Sequence, residues 1–343
     1  MAKEKSKSNT LRIALVGGGT LLGREIEDVV KLRLGQARIT PYAANGEGNF
    51  DEEDGEAIYR EPLDAKAIHD DRVVLSAGTV EGARKAYELV KKSKGKGRQI
   101  LIDCTGQLDQ QPEAVIVSPQ TEGTANGSGW LQVVAHPAAA AILRVLRQLA
   151  ARHGIRSSVI TVYQPASELG KKAVFELNQQ TGSLLSFKPL EKKVFDAQVA
   201  FNLLPVYGED AAEPLIATEQ RIERHLASML SRQNTPAVPM PSIRVIQAGV
   251  FHSYSVSAWV EFESSIDANS IAAALVSPKL EVRSSNEDAA TPVDVAGQSE
   301  VIVSDIRIDS NNGRAAWMWW VADNLRTTAD AAVDLLVPLE STQ

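Results

Sequence analysis

The stretch from Leu11 to Ile26, LRIALVGGGTLLGREI, constrains the fold more than any other part of the chain. Its apolar run, Ile13 to Val16, has the length and branching of a buried strand. Three glycines follow, and then apolar residues recur at helical spacing: Leu21, Leu22, Ile26, Val29 and Val30. The stretch therefore predicts a strand, a tight turn and a helix, the unit from which nucleotide-binding α/β folds are built.

The spacing of these glycines bears on whether the turn binds a nucleotide. Backbone N–H groups at a helix start attract anionic groups such as a pyrophosphate. The dinucleotide pattern with two residues between glycines asks for glycine at 17, 20 and 23, but the chain has Gly17, Thr20 and Gly23. Thr20 thus stands where the backbone would approach the phosphates most closely. Two interpretations stay open, a nucleotide-type turn that has kept or lost its ligand, and a plain tight βα turn.

Length and charge exclude several classes of protein. A chain of 343 residues predicts two domains. Its net charge of −7 argues against general nucleic-acid binding, because phosphate contacts need a basic surface. No apolar run approaches the roughly 20 residues that span a bilayer, so no membrane association is expected. Residues 1–10 predict a flexible tail in a cytoplasmic protein, and the basic run at 91–98 is interpreted as a solvated helix end.

The numbers and positions of the cysteine and histidine residues limit the disulfides and metal sites that the chain can form. Cys104 is the single cysteine, so no intramolecular disulfide forms and a multi-cysteine metal site is excluded. Because Cys104 follows a buried-looking strand, a packed thiol is favoured over a nucleophile. The histidines lack the close spacing of a metal cluster, and each is interpreted as a surface or packing residue: His69, His136, His153, His225 and His252. No metal site is expected.

The first part of the chain alternates strand-like and helix-like segments. Strands are predicted at 37–42, 73–76, 99–103 and 131–135, and helices at 80–92 and from Pro137 onward. This order predicts an α/β fold with a Rossmann-like, doubly wound parallel sheet, whose ligand crevice lies at the carboxyl ends of the strands. That rule groups four segments on one rim: 17–23, 76–78, 104–106 and 136–139.

The later part of the chain predicts a different architecture. Strands are expected at 158–163, 243–251, 254–262 and 301–307, and helices at 169–180 and 216–230. The grouping indicates a central α+β domain with a more antiparallel sheet. Residues 284–297 are polar and are predicted to leave the sheet. The run WMWWV at 317–321 leads into a helical pattern with Leu325, Ala329, Val333 and Leu336 on one face.

The order of short motifs resembles that of the aspartate-semialdehyde dehydrogenase family, over nearly the whole chain. The matching segments are IALVGGGTLLGREI at the front, LSAG at 75–78, IDCT at 102–105, VVAHPAAAAI at 133–142, TVYQPAS at 161–167, FNLLPVYGE at 201–209 and NGRAAWMWWVADNLRTTAD at 312–330. The closing VADNLR is the most specific single match. Several such matches in the right order are hard to produce by chance.

The resemblance implies a domain plan and a cofactor. A dinucleotide-binding domain would comprise residues 11–138 and 312–343, and a central dimerisation domain residues 139–311, in a protein that forms a homodimer. The cofactor would be NAD or NADP, with these residues as candidate contacts: Gly17, Gly19, Thr20, Leu21, Leu22, Gly23, Ser76, Ala77, Gly78 and Asn324. The choice between NAD and NADP is not decided, because only Glu47 lies near the end of the second strand.

The family's nucleophile is missing at the position where the resemblance places it. Members of this amino-acid biosynthesis family use a cysteine thiolate to attack the aldehyde, and they present it as Asn-Pro-Asn-Cys at a helix start. The corresponding residues here run from His136 to Ala139, and alanine has no nucleophilic atom. Cys104 does not easily substitute, because it falls on a different strand end. Losing a covalent nucleophile typically costs about 10⁴-fold or more in rate.

Other functional positions depart from the family in the same direction. The acid–base histidine corresponds to Tyr254 by ungapped alignment, or to His252 if the register shifts by two residues, and Tyr254 is preferred. One anion-binding arginine corresponds to Asp109, and another falls near Gln247, although Arg244 lies close by. An anion pocket without its arginine loses bidentate recognition of carboxylate or phosphate.

Two positions keep the residue type that the family has. Gln164 matches the family's glutamine, and Arg221 is basic where the family has lysine.

Two hypotheses of function remain. The leading hypothesis is a homologue without the phosphorylating dehydrogenase activity, with residual NAD(P) or small-molecule binding and a dimerisation or regulatory role. The alternative is an active NAD(P)-dependent oxidoreductase with non-thiolate chemistry, in which Tyr254 or His252 serves as the acid.

Overall fold

A computed structural model describes residues 10–53, 56–69, 71–93, 99–118, 129–232 and 237–341. The chain divides into two compact units, the first comprising residues 1–134 and 329–343 and the second residues 135–328. The predicted tail, residues 1–10, lies outside the described residues apart from Thr10, as does most of the basic run at 91–98. Among the helices of the described ranges, none has both the length and the apolar character needed to cross a membrane.

The first unit contains a six-stranded parallel sheet. Its elements, in chain order, are β1 (Arg12–Val16), α1 (Leu21–Arg33), β2 (Arg38–Tyr42), β3 (Asn49–Glu53), β4 (Glu56–Arg60), β5 (Val73–Ser76), α2 (Val80–Ser93), β6 (Ile100–Asp103), β7 (Ala114–Val117) and β8 (Leu131–Val134). The sheet order is β2-β1-β5-β6-β8-β7, and every neighbouring pair is parallel. The predicted Rossmann-like sheet is therefore confirmed.

Burial explains why these strands read as continuous apolar runs. All four residues of β5 and of β8 are buried, as expected for a parallel sheet covered on both faces. Helix α1 buries Ile26, Val29 and Val30 against β1, and residues 329–336 of the last helix join the same core. Strands β3 and β4 form a separate antiparallel hairpin that the sequence patterns did not predict.

The second unit contains a seven-stranded mixed sheet. Its elements are α3 (Pro137–Ala150), β9 (Ile155–Gln164), a 3₁₀ turn (Ala166–Leu169), α4 (Lys171–Leu185), β10 (Leu203–Leu204), α5 (Leu215–Ser231), β11 (Ser242–Ala248), β12 (Tyr254–Phe262), α6 (Ala268–Leu275), β13 (Leu280–Val282), β14 (Val301–Asp309), β15 (Asn312–Ala322) and α7 (Asn324–Ser341). The sheet order is β10-β11-β9-β12-β15-β14-β13, and four of the six pairings are antiparallel. The predicted α+β architecture is therefore confirmed.

The division of the chain differs from the predicted domain boundaries. Residues 312–322 were predicted in the dinucleotide-binding domain, but they form β15, which pairs with both β12 and β14 in the second unit. The chain returns to the first unit within α7, at Ala329, and the second unit begins at Ala135 rather than at residue 139. Strand pairing decides the boundary here, because a central strand cannot leave its sheet without losing hydrogen bonds on both sides.

Candidate functional site

The glycine turn of the first unit is shaped by its own close packing. Gly17 has a φ of +94°, and a Cβ placed there would lie 2.6 Å from the Cα of Gly78. A Cβ on Gly23 would lie 2.0 Å from the carbonyl oxygen of Gly17. Both positions therefore require glycine for steric reasons within the turn. These two glycines fit a plain tight turn as well as a nucleotide-binding one.

Thr20 connects this turn to the end of the neighbouring strand β5 and caps α1. Its hydroxyl oxygen lies 2.8 Å from the carbonyl oxygens of both Gly17 and Ala77, and it accepts the N–H of Gly23 at 2.9 Å. The threonine at the middle glycine position is thus an N-cap residue whose side-chain oxygen accepts a backbone N–H of the first turn. The grouping of segments 17–23 and 76–78 on one rim is confirmed by these contacts.

Several hydrogen-bond donors lie around the glycine turn, where the phosphates of a dinucleotide would bind. The backbone N–H groups of Leu21 and Leu22, at the start of α1, have no hydrogen-bond partner among the described residues. Ser76, fully buried at the end of β5, also has a hydroxyl without a partner in the described part of the chain. Gly19 is buried within the turn. Free donors beside a helix N-terminus fit an anionic group in kind.

Cys104 is a packed thiol, as the sequence indicated. It is buried in the apolar core of the first unit, at the end of β6, and its N–H donates to the carbonyl oxygen of Ser76. Burial, with a smaller contribution from the charge of Asp103, raises the pKa of the Cys104 thiol well above its ordinary value. Burial also raises the pKa of the Asp103 carboxyl, with a smaller contribution from the charge of Asp109. A neutral, buried thiol is a poor nucleophile.

In the second unit, His136 begins the helix that carries Ala139. Its Nδ1 accepts the N–H of Ala138 at 3.2 Å and so caps α3, with Pro137 in the first turn. The backbone N–H of His136 donates to Nδ1 of His225 at 2.8 Å. Because Nδ1 of His136 needs its lone pair as an acceptor, the ring proton lies on Nε2. Ala139 is fully buried one turn further along this helix.

Nε2 of His136 faces two further polar side chains. It lies 3.2 Å from Oε1 of Glu168 and 3.4 Å from the hydroxyl oxygen of Tyr254. Glu168 is supplied by the 3₁₀ turn after β9, and Tyr254 is the first residue of β12. Three separate elements therefore meet in one buried cluster, which we call the His136–Glu168–Tyr254 cluster.

Burial, neighbouring charges and hydrogen bonds together set the charges of this cluster. Burial by itself would raise the pKa of Glu168, but the attraction of His136, the hydrogen bonds from His136 and Tyr254, and the charge of Arg221 outweigh it and hold the pKa below its ordinary value. Burial, followed by the charge of Glu168 and the hydrogen bond to it, raises the pKa of Tyr254 well above its ordinary value. The cluster thus holds an ionised carboxylate and a neutral phenol at neutral pH.

Gln164 belongs to a second buried network, with Gln247 and Tyr207. Both N–H groups of the Gln247 amide donate to backbone carbonyls, those of Gln164 and Ala248, so its Oε1 accepts from Tyr207 at 2.6 Å and from Gln164 Nε2 at 3.2 Å. Oε1 of Gln164 has no hydrogen-bond partner among the described residues. This network fixes the orientation of both amides, and burial raises the pKa of Tyr207.

The remaining predicted residues occupy varied places in the second unit. Arg244 is exposed and lies on the face of β11 opposite to Gln247. Arg221 pairs with Glu213 at 2.8 Å. His252 lies in the bend before β12, outside the strand that Tyr254 begins. Oδ1 of Asn324, predicted as a cofactor contact, accepts from Ser167 Oγ at 3.1 Å and from Ser253 N–H at 3.2 Å.

Sequence reasoning missed two members of the cluster. His136 was interpreted as a surface or packing histidine, although a histidine directly before a helix-starting proline is a recognisable capping position. Glu168 carried no signal, because its partners are 32 and 86 residues away in sequence, at 136 and 254. Among the described residues, no group of three or more His, Cys, Asp or Glu side chains is arranged to hold a metal ion.

The chain is similar in sequence and in fold to semialdehyde dehydrogenases. Residues 146–327 match the family model described as semialdehyde dehydrogenase, dimerisation domain. A USG-1 protein homolog of Pseudomonas aeruginosa is 32% identical, over 67% of this chain and 68% of its own. An aspartate-semialdehyde dehydrogenase of Rickettsia conorii is 28% identical, over 77% and 78%. The solved structure of a probable aspartate-semialdehyde dehydrogenase from Pseudomonas aeruginosa has a TM-score of 0.79 and 26% identity, with 96% and 99% of the two chains covered.

Proposed function

The chain belongs to the aspartate-semialdehyde dehydrogenase family, and from this premise we propose that it is a member without the phosphorylating dehydrogenase reaction, acting as a dimeric binding or regulatory protein. The observation that carries this proposal is Ala139, which stands at the position that the resemblance assigns to the nucleophile. Thioester chemistry requires a side chain that can attack the aldehyde and later leave, and a methyl group can do neither.

Three further residues support the loss of the phosphorylating reaction. Cys104, the single thiol, is buried in the core with a raised pKa and is not disposed to act as a thiolate. Gln247 replaces an expected arginine, and its amide N–H groups are both used by backbone carbonyls. Asp109 reverses the charge at another anion-binding position. A phosphate and a substrate carboxylate would each lose a charged partner here.

Residual binding of NAD or NADP is part of the proposal. The free N–H groups of Leu21 and Leu22 and the unpaired hydroxyl of Ser76 are donors of the kind that a dinucleotide phosphate uses. Such a cofactor would supply or accept a hydride. The residues of this turn would do no more than bind and orient it.

A homodimer formed through the sheet of the second unit is the third part of the proposal. Trp259 on β12 lies opposite Val159 on β9 and Trp317 on β15, so these three side chains form a row on one face. Val159 is 51% exposed and Trp317 43% exposed. A row of apolar side chains that is exposed at both ends and half-buried at Trp259 supports association with a second copy, in line with the dimerisation domain matched over the same strands.

Steady-state assay of the purified protein tests the central claim. Phosphate-dependent oxidation of aspartate semialdehyde, followed by reduction of NAD or NADP, is expected to stay at the background rate. The matched comparison is Cys104→Ala, which removes the only thiol and should leave that background unchanged. Robust turnover by the unmodified chain that survives in Cys104→Ala would show that Ala139 is not the nucleophile position and that another group performs the chemistry.

An NAD(P)-dependent oxidoreductase with non-thiolate chemistry is the alternative. The observation in its favour is the His136–Glu168–Tyr254 cluster, which contains a phenol and an imidazole in hydrogen-bond contact. Against it, the raised pKa of Tyr254 makes that phenol a reluctant proton donor to a substrate. Equilibrium titration with NADH and NADPH tests this alternative. Absence of binding at millimolar concentrations eliminates the oxidoreductase and the residual cofactor binding, and leaves the loss of the phosphorylating reaction to the assay above.

A further inference from the structure

The two donors of the His136–Glu168–Tyr254 cluster converge on one carboxylate. Nε2 of His136 lies 3.2 Å from Oε1 of Glu168, and Tyr254, whose hydroxyl oxygen lies 3.4 Å from that nitrogen, helps to lower the pKa of the Glu168 carboxyl through a hydrogen bond. The positive charge of Arg221 is close enough to favour an anion at this place. A carboxylate bound by an imidazole N–H, a phenol O–H and a nearby guanidinium has the contacts of a bound ligand rather than of a solvated side chain.

The donors are held in place without help from Glu168. The His136 ring is fixed by the Ala138 N–H on Nδ1, and its backbone by the hydrogen bond to His225. Tyr254 is held by β12, where it pairs with Ala322 of β15, and its side chain is 1% exposed. Both donors would therefore keep their orientation if the carboxylate were removed, which is the condition for a preorganised binding site.

Glu168 is attached to this site in the manner of a tethered ligand. Its backbone lies in the 3₁₀ turn, where its N–H donates to the carbonyl oxygen of Pro165, and its side chain alone reaches the donors. The Glu168 side chain is 17% exposed, so the site is open to solvent on one side.

We propose that Glu168 is an internal ligand occupying a carboxylate-binding site built by His136 and Tyr254, and that the vacated site binds a small monocarboxylate such as formate or acetate. The carboxylate of Glu168 then acts as an autoinhibitory group for that site. This carboxylate site is independent of Ala139 and of the proposed loss of the phosphorylating reaction. It would hold equally in a catalytically active chain.

Complementation of Glu168→Ala with free carboxylates tests the proposal. The thermal unfolding midpoint and ligand-observed NMR of the full chain are measured with sodium formate and sodium acetate, against sodium chloride at equal ionic strength. Glu168→Ala is expected to show a saturable upward shift of the midpoint in the millimolar range. The unmodified chain and Glu168→Gln are expected to show none, because in both of them the site is filled.

A donor deletion identifies the site that the carboxylate uses. Glu168→Ala with Tyr254→Phe should bind acetate about tenfold more weakly or worse, since one hydrogen bond to a charged group is lost. The matched control is Glu168→Ala with Tyr163→Phe, which removes a phenol hydroxyl from β9 and should not weaken binding. Equal affinity in the two double variants would overturn the proposal, as would acetate binding to the unmodified chain as tight as to Glu168→Ala.

Failure of Glu168→Ala to fold would also be decisive. If the variant folds only when formate or acetate is present and not in chloride, the carboxylate has replaced the missing side chain, and the proposal is supported. If it stays unfolded in both carboxylates while Glu168→Gln folds, the donors do not form an independent site, and the proposal is wrong.

Discussion

The hydroxyl oxygen of Thr20 lies 2.8 Å from the carbonyl oxygen of Ala77, joining the turn after β1 to the end of β5. The same oxygen accepts the N–H of Gly23 and so caps α1. One side chain thereby stabilises both the helix start and the contact between two strand ends. At the position where a dinucleotide pattern would have glycine, this chain has gained a structural bond.

Replacing Thr20 should therefore destabilise the first unit. Thr20→Ala removes the cap and the bond to Ala77, and we expect the free energy of unfolding to fall by about 1 to 2 kcal/mol. Urea denaturation followed by circular dichroism measures the change. Thr20→Ser keeps a hydroxyl and should lose much less, and equal losses in the two variants would contradict the capping role.

Two helical glycines should respond to alanine in opposite directions. Gly23→Ala would place a Cβ 2.0 Å from the carbonyl oxygen of Gly17, so the turn must shift, and a loss of about 1 to 3 kcal/mol is expected. Gly182 lies in α4 with nothing within 4 Å of the added Cβ, so Gly182→Ala should gain about 0.5 to 1 kcal/mol. Unfolding of both variants in urea gives the comparison. A Gly23→Ala variant as stable as the unmodified chain would show that the turn is less tightly packed.

The thiol of Cys104 should be unreactive in the folded protein. Its burial and raised pKa predict that reaction with an aromatic disulfide reagent at pH 8 is at least about 100-fold slower in the native chain than in urea. Ser231→Cys in a Cys104→Ala background provides an exposed thiol for comparison, because Ser231 ends α5 on the surface. Native-state reactivity equal to that of the exposed thiol would revive Cys104 as a candidate nucleophile.

The lowered pKa of Glu168 predicts a stability that depends on pH. A carboxylate with a lower pKa in the folded state contributes stability above its unfolded pKa, about 4.3, and this contribution is lost as pH falls through the folded pKa. The difference in unfolding free energy between the unmodified chain and Glu168→Gln should thus be largest near pH 7 and shrink below about pH 4.5. Urea denaturation between pH 3 and 8 measures it.

Removing Tyr254's hydroxyl provides the control for that profile. In a Tyr254→Phe background the carboxylate has one donor fewer, so the same comparison should show a smaller difference at pH 7. An unchanged profile in that background would mean that Tyr254 does not stabilise the ionised form of Glu168.

The exposed row on the second sheet should control self-association. Trp317→Glu places a charge at the β15 end of the row, opposite Trp259, and is expected to shift the proposed dimer to monomer in sedimentation equilibrium. Val293→Glu, at a position that is 86% exposed and lies outside the strands, is the matched control and should leave the mass unchanged. A monomeric unmodified chain, or a dimer that tolerates Trp317→Glu, would contradict the proposed interface.

Local sequence patterns were sufficient for most elements. The apolar run before Gly17 and the periodic residues after it predicted β1 and α1, and the strand predicted at 254–262 is β12 residue for residue. Short or polar strands escaped detection. Strand β3, NFDEE, has almost no apolar residues and so carries no period that can be recognised, and β7, AVIV, was also not predicted.

By itself, the amino-acid sequence determined the two fold classes and the family resemblance, because these follow from periodicity and motif order. Tertiary structure alone decided that Thr20 joins two strand ends, that β15 belongs to the second sheet, and that His136, Glu168 and Tyr254 meet. The physical reason is that hydrogen bonds between side chains depend on distances of a few ångströms. Residues separated by 32 to 118 positions reach such distances only when the fold brings their elements together.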